Sequence, residues 1–290
     1  GIDLVARALI KPGDVVAVEE LGYSPAWAAL LHAGARLLPI AIDAHGIDVD
    51  ALAIATRSAR VRMVYTTPHH QYPTTVQMAA HRRRALLELC ARERIAILED
   101  DFDHEMQYEG RPPLPLAAED ERGVVVSVGT LSKILAPGLR LGFVTGPRDV
   151  VDKLARMRRH VDRQGDLAIE EAVAELLDDG TILRHVRRIR RTYKARRDVL
   201  VDALRGRLGD ALDFEVPRGG MALWAKWNGG SAERFVARAA AHGVGISCAR
   251  DYALDGAERP FVRFGFSALD ERELDDAVRR LAAGRRFVPQ

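Results

Sequence analysis

Six short apolar runs punctuate the first half of the chain, at residues 15–18, 36–40, 61–67, 95–99, 124–128 and 141–145. As a group they are continuous rather than alternating. That pattern suits strands buried on both faces of a mostly parallel sheet. Helical patterns lie between them at 25–32, 48–56 and 77–92. Strand, helix, strand at this spacing predicts an α/β layered domain. In such sheets ligands bind beyond the carboxyl ends of the strands, so the residues after each run are where chemistry is expected.

The second half reads differently. Residues 149–164 and 168–178 are helical, and a longer helix follows with Ile182, Val186, Ile189, Tyr193, Leu200 and Leu204 on one stripe. Then come an extended run at 214–216, a turn at 217–220, a strand at 221–227, a helix near 231–242, a strand at 262–266 and a closing helix at 270–282. This predicts a small α+β domain over residues 181–290 beside a large domain over 1–180. Gly1 leads at once into an amphipathic helical stretch, IDLVARALI, with no initiator Met or cap. The large domain is therefore expected to lack an N-terminal part.

Composition narrows the function classes. Of 290 residues, Lys and Arg number 43 and Asp and Glu 41, a net charge of +2. That balance argues against a chain that itself lives on nucleic acid or an anionic membrane. No apolar run approaches the roughly 18 residues that span a bilayer. Two cysteines, Cys90 and Cys248, cannot build a disulfide framework, which makes a reducing, cytoplasmic setting the expectation.

Two strand ends carry unusual chemistry. After the run at 95–99 comes EDDFDHE, residues 99–105, with six ionisable groups in seven positions. It reads as a solvated acidic turn, as metal ligands, or as a carboxylate placed to hold a cationic ring nitrogen. No second ligand cluster with usable spacing is evident, so no metal is expected. After the run at 124–128 comes GTLSKILAPGLR, residues 129–140. Gly129 alone does not make a Walker loop around Lys133. Thr130, Ser132 and Arg140 all suit phosphate oxygens.

Asp100, Lys133 and Arg140 at this spacing resemble the pyridoxal-phosphate site of fold-type I aminotransferases. Three segments, TTPHHQYPTT at 66–75, EDDFDHE at 99–105 and GTLSKILAPGLRLGF at 129–143, more specifically resemble the aminotransferase-like domain of MocR-type regulators of the GntR family. The resemblance runs over essentially the whole chain. It implies the cofactor pyridoxal 5'-phosphate, with a buried Lys133 forming the internal aldimine and Asp100 pairing with the pyridine nitrogen. It implies that Thr130, Arg140 and Ser132 hold the phosphate, that Tyr23 stacks on the ring, and that Arg263 clamps a ligand carboxylate.

Two positions depart from the usual pattern. Phe102 stands where many aminotransferases have a tyrosine that donates to the cofactor's phenolic oxygen. Tyr72 stands where many have an asparagine, before Pro73-Thr74-Thr75. Tyr72 or Gln71 is the expected substitute donor. The reading favours an effector sensor that forms an external aldimine with a small amino compound and relays closure to a DNA-binding domain absent from this chain. Its rival is a stand-alone aminotransferase acting on an amino acid or amine. Either implies a homodimer and no membrane.

The basic stretch 184–197 is read as a solvated helix face rather than a nucleic-acid patch. His69, His70 and His104 are residue types that ligate metals, but they are read as cofactor-pocket or loop residues, and Cys90 is read as core.

Overall fold

The structure is a computed structural model and describes residues 1–285. The chain divides into two compact units. The first comprises residues 1–71, 76–105 and 112–186; the second comprises 72–75, 106–111 and 187–290.

The first unit opens with α1 (Ile2–Leu9), β1 (Val15–Glu19), α2 (Ser24–His32) and β2 (Arg36–Ile40). A two-stranded hairpin, β3 (Ile42–Asp43) and β4 (Gly46–Ile47), precedes α3 (Val49–Ser58). There follow β5 (Val61–Thr66), α4 (Ala80–Glu93), β6 (Ala96–Asp101), α5 (Leu116–Glu119), β7 (Val125–Thr130) and β8 (Gly142–Thr145). The helices α6 (Arg148–Val161) and α7 (Leu167–Asp178) come next, and α8 (Thr181–Leu208) begins here and continues into the second unit.

The sheet order is β2-β1-β5-β6-β7-β8, parallel throughout except for the antiparallel edge strand β8. The expected α/β architecture is present, and each of the six apolar runs became a strand within one or two residues of its expected limits. Strand β1 is buried along its whole length, and β5, β6 and β7 nearly so, because helices cover both faces. One core cluster joins Val15, Ala17, Val64, Ile97 and Val125 of the sheet to Leu52 of α3 and Leu86, Leu89 and Cys90 of α4.

The chain leaves β1 toward β2 and later resumes with β5 on the other side of β1. That reversal makes the β1/β5 boundary the switch point of the sheet. Glu19, at the end of β1, is buried there. It accepts hydrogen bonds from Thr66 Oγ1 at 2.6 Å, Thr67 Oγ1 at 2.9 Å, the Thr67 amide at 3.3 Å and Gln71 Nε2 at 3.1 Å. Burial raises its carboxyl above the usual range, and these donors oppose the rise.

In the second unit, β9 (Leu212–Asp213), β10 (Ala222–Trp227), β11 (Ser247–Cys248) and β12 (Phe261–Gly265) form an antiparallel sheet in the order β11-β12-β10-β9. It packs with α9 (Ala232–Ala241), α10 (Glu271–Arg285) and the second part of α8 around Leu204, Leu223, Phe235, Val262, Phe264 and Val278. The extended run expected at 214–216 is not a strand; the pairing falls at β9, where Lys226 and Trp227 of β10 meet Asp213 and Leu212. The division between units falls at Val186/Arg187, and residues 106–111 join the second unit through a bridge between Gln107 and Gly219.

The basic run of α8 is solvated in part: Arg184, Arg187, Arg188 and Arg191 are exposed, whereas Arg190, Arg196 and Arg197 turn to the fold. Arg190 Nε donates to the Gln107 carbonyl at 2.8 Å, and Arg196 to that of Ser267 at 2.7 Å. Arg197 is buried, donates to the Pro217 carbonyl and the Glu109 carboxylate at 2.6 Å each, and lies over the Tyr108 ring. These guanidiniums tie loops of the unit to its longest helix.

Two outcomes follow from this packing. Replacing Glu19 by alanine leaves Thr66, Thr67 and Gln71 donors without their acceptor. Stability should fall by about 1–3 kcal/mol, seen as a lower urea midpoint at unchanged slope. Burial pushes the Cys90 thiol up to about 12, and burial and Asp251 raise that of Cys248. Neither should react with a disulfide reagent at pH 8 until the chain is unfolded, because the thiolate is the nucleophile; rapid reaction in the native state would contradict the packing.

Candidate cofactor site

Parallel pairing brings the carboxyl ends of β1, β5, β6 and β7 to one edge of the sheet in the first unit. Tyr23, Asp100, Phe102, Thr130, Ser132, Lys133 and Arg140 all belong to that unit and follow, or end, these strands. A cavity of about 980 Å³ opens at the opposite edge, against Arg62, Ala96 and Val124, and holds none of them.

Asp100 is the best-defined member. It is buried in β6, and its Oδ2 accepts a hydrogen bond from the Tyr65 hydroxyl at 2.7 Å. Burial pushes its carboxyl up to about 6; the Tyr65 bond opposes the rise, and Asp101, Asp103 and Glu19 add to it. Oδ1 accepts no hydrogen bond among the described residues. A buried carboxylate with one oxygen fixed and one open, repelled by its neighbours, is suited to a cationic N–H donor. Sequence reading missed Tyr65. Its signal lies in the register: Tyr65 pairs with Leu98, and Asp100 is two residues further along the same face of β6.

The acidic segment is not a solvated turn. Glu99 is fully buried and accepts the amides of Leu116 and Ala117 at 2.7 and 3.1 Å, at the start of α5. Asp103 is buried against His70 Nδ1 at 2.9 Å. Asp101 faces His69 and His104. Phe102 is half-buried beside them.

Beyond β7 the chain turns sharply. The Leu131 amide bonds the Leu141 carbonyl at 3.0 Å, and Leu135 closes back on Leu131 at 2.8 Å. The turn buries Ile134 and leaves Lys133 exposed. The expectation of a buried Lys133 is therefore corrected: the residue is exposed in this structure. Thr130 Oγ1 accepts the Ser132 amide at 3.1 Å. Gly129 is dictated by the edge strand, since a Cβ there would lie 2.2 Å from the Phe143 ring. Arg140 adopts φ 52° after the turn Pro137–Leu139. Among the described residues, neither its exposed guanidinium nor the Lys133 amine has a hydrogen-bond or ion-pair partner.

Tyr23 caps the start of α2 and is 38% exposed. Gln71 is buried, and its amide donates to Glu19 and to the Leu21 carbonyl at 2.8 Å. It is thus committed to the strand junction rather than held ready as a substitute donor. Tyr72 and Arg263 belong to the second unit, where the guanidinium lies over the Tyr72 ring at 5.0 Å. The Arg263 Nε is buried without a hydrogen-bond partner. Tyr252 and Trp224, which no motif singles out, flank this pair: Tyr252 lies edge-on to Tyr72 at 5.4 Å and to Trp224 at 6.1 Å.

The profile of the aminotransferase class I and II family matches residues 1–281. The chain belongs to that family. It is 31% identical over 287 residues to aromatic-amino-acid aminotransferase 1 of Thermococcus litoralis, covering 97% of this chain and 69% of that one. It is 30% identical to the probable rhizopine catabolism regulatory protein MocR of Rhizobium meliloti, covering 97% of this chain but 56% of the relative. Among solved structures, kynurenine aminotransferase of Pyrococcus horikoshii, in complex with PMP, superposes with a TM-score of 0.92 at 29% identity, over 99% of this chain and 73% of that one. LysN of Thermus thermophilus, complexed with N-(5'-phosphopyridoxyl)-L-leucine, gives 0.91 at 27% identity, over 98% and 74%.

Pyridoxal 5'-phosphate is the cofactor that membership in this aminotransferase family implies. The donor set fits it: an open carboxylate oxygen on Asp100 and, among the described residues, an amine on Lys133 and a guanidinium on Arg140 without partners, with Thr130 and Ser132 in the same loop. Replacing Tyr65 by phenylalanine should leave Asp100 Oδ2 without its donor and lower stability by about 1.5–3 kcal/mol in denaturant titration.

Proposed function

We propose that the chain is the effector-sensing domain of a MocR-type regulator of the GntR family, with pyridoxal 5'-phosphate as its cofactor. The supporting observation is the replacement of two hydrogen-bonding positions. Phe102 has no donor, Tyr72 lies against Arg263 and Tyr252, and the neighbouring Gln71 amide is engaged by Glu19. The phenolic side of the cofactor is then weakly supported, which suits a domain that captures an amine and turns over slowly.

Lys133 supplies the primary amine that tethers the cofactor, and Asp100 Oδ1 accepts the ring N–H. Thr130, Ser132 and Arg140 hold the phosphate, Arg140 through its fork of donors. Tyr23 covers one ring face, and Phe102 bounds the pocket within the first unit. The bound group contributes an aldehyde for amines and an electron-withdrawing ring. Arg263 takes the carboxylate of an amino compound, since its buried Nε lacks a partner. The protein is a cytoplasmic homodimer, and DNA is contacted by a winged helix-turn-helix outside these 290 residues. No helix among the described residues is long and apolar enough to cross a membrane.

A second reading, a stand-alone aminotransferase of amino acids or amines, is favoured by the comparable identity to the Thermococcus litoralis enzyme. A screen of amino acids and amines separates the two. A sensor shifts its absorption spectrum with its effector yet releases little keto acid; rapid multiple turnover with an ordinary keto acid would overturn the regulator reading. Arg263→Lys should weaken binding of carboxylated effectors by about 2–5 kcal/mol while the cofactor is retained. Equal affinity in the variant would remove Arg263 from the site.

A further inference from the structure

The register of β5 and β6 sets Thr66 opposite Glu99, so the segments leaving the two strands run side by side. This brings His69 against Asp101 and His104, from parts of the sequence that gave no sign of pairing. One ligand atom from each of the three lies within 4.8 Å of the others.

The proton positions leave a gap in this cluster. His69 is almost fully buried, and its Nε2 lies 3.0 Å from the Pro113 carbonyl. A carbonyl only accepts, so Nε2 carries the proton and Nδ1 of a neutral ring presents a lone pair. That Nδ1 lies 3.2 Å from Asp101 Oδ1, yet both buried atoms lack a hydrogen bond of acceptable geometry. His104 Nδ1 lies 3.0 Å from the same Nε2–H and 3.6 Å from Asp101 Oδ2. His69 Nδ1 and Asp101 Oδ1 are thus two buried electron-pair donors that no hydrogen bond satisfies, and the partly exposed His104 ring stands beside them.

We propose that His69, Asp101 and His104 form a binding site for a divalent transition-metal ion of the zinc type. With ligand bonds of about 2.0–2.1 Å, tetrahedral coordination separates ligand atoms by about 3.3 Å; His69 Nδ1 and Asp101 Oδ1 stand 3.2 Å apart, and the His104 ring turns away from the His69 Nε2–H to complete the set. Two imidazoles and one carboxylate select zinc-like ions over magnesium or calcium. The Pro113 carbonyl on the far side of His69 is the outer contact that orients a metal-bound imidazole. Asp100, Asp103 and Glu105 add negative charge around the site; Arg83, held by Leu114 and Glu119, opposes it. His104 is one-third exposed and offers the ion a route from solvent. His70 and Asp103 hold each other and are not counted as ligands.

The test is titration of the metal-stripped full chain with zinc, against a competing chromophoric chelator, with circular dichroism as the fold control. Cobalt(II) absorption serves as a second readout. The unmodified chain should bind about one zinc more tightly than about 1 μM. His104→Ala and Asp101→Asn should each weaken binding by roughly 100-fold. His45→Ala, which alters the exposed His45–His81 pair elsewhere in the first unit, should not. Should His104→Ala fail to fold, zinc in the unmodified chain should protect His104 from diethyl pyrocarbonate. Absence of tight binding would overturn the site and leave a proton on His69 as the only cation there. Binding unchanged in the His104 and Asp101 variants, binding lost with His45, or an unprotected His104 would overturn it equally.

Discussion

Parallel pairing of β1, β5, β6 and β7 is the constraint on which the rest depends. Parallel neighbours end at the same edge, so residues far apart in sequence are delivered to one place without any contact between the intervening helices being needed. Glu19 and Thr66 meet at the switch point, Tyr65 reaches Asp100, and His69 reaches Asp101 for this one reason. The helices covering both faces make these strand ends poor in water. That is why Glu19, Glu99 and Asp103 sit in a buried setting and must each find donors within the chain.

The edge also separates two kinds of acid. Glu19 and Glu99 have their oxygens occupied, by threonine and glutamine donors in one case and by the amides opening α5 in the other. They are structural. Asp100 keeps an oxygen open, and like charges nearby raise its carboxyl. The difference is one of local satisfaction rather than of residue type, and it marks Asp100 as the acid available to a cationic ligand.

Continuous apolar runs made the strands legible because a strand covered on both faces has no polar alternation to obscure it. The limits moved by one or two residues where strands run on into polar ends, as β6 does through Glu99, Asp100 and Asp101. Asp100, Lys133 and Arg140 were singled out through resemblance to a family motif. Their surroundings were not. The burial of the acidic segment depends on α5 and on His69 and His70 arriving from other strands. The exposure of Lys133 depends on a turn that spends its inward position on Ile134. Arg190, Arg196 and Arg197 were not separable from the exposed arginines of α8 because sequence shows no carbonyls; Gln107, Ser267 and Pro217 supply them through folding. In the second unit, Arg263 was found by motif, but the Tyr72, Tyr252 and Trp224 rings around it come from separate elements.

The proposed role of this strand edge is to hold pyridoxal phosphate through Lys133. Borohydride reduction of the cofactor-loaded full-length protein, followed by proteolysis and mass spectrometry, addresses it directly. The pyridoxyl mass is expected on the peptide containing Lys133 and on none containing Lys11, Lys153, Lys194 or Lys226. A stoichiometric label on any of those four, with Lys133 unmodified, would contradict it.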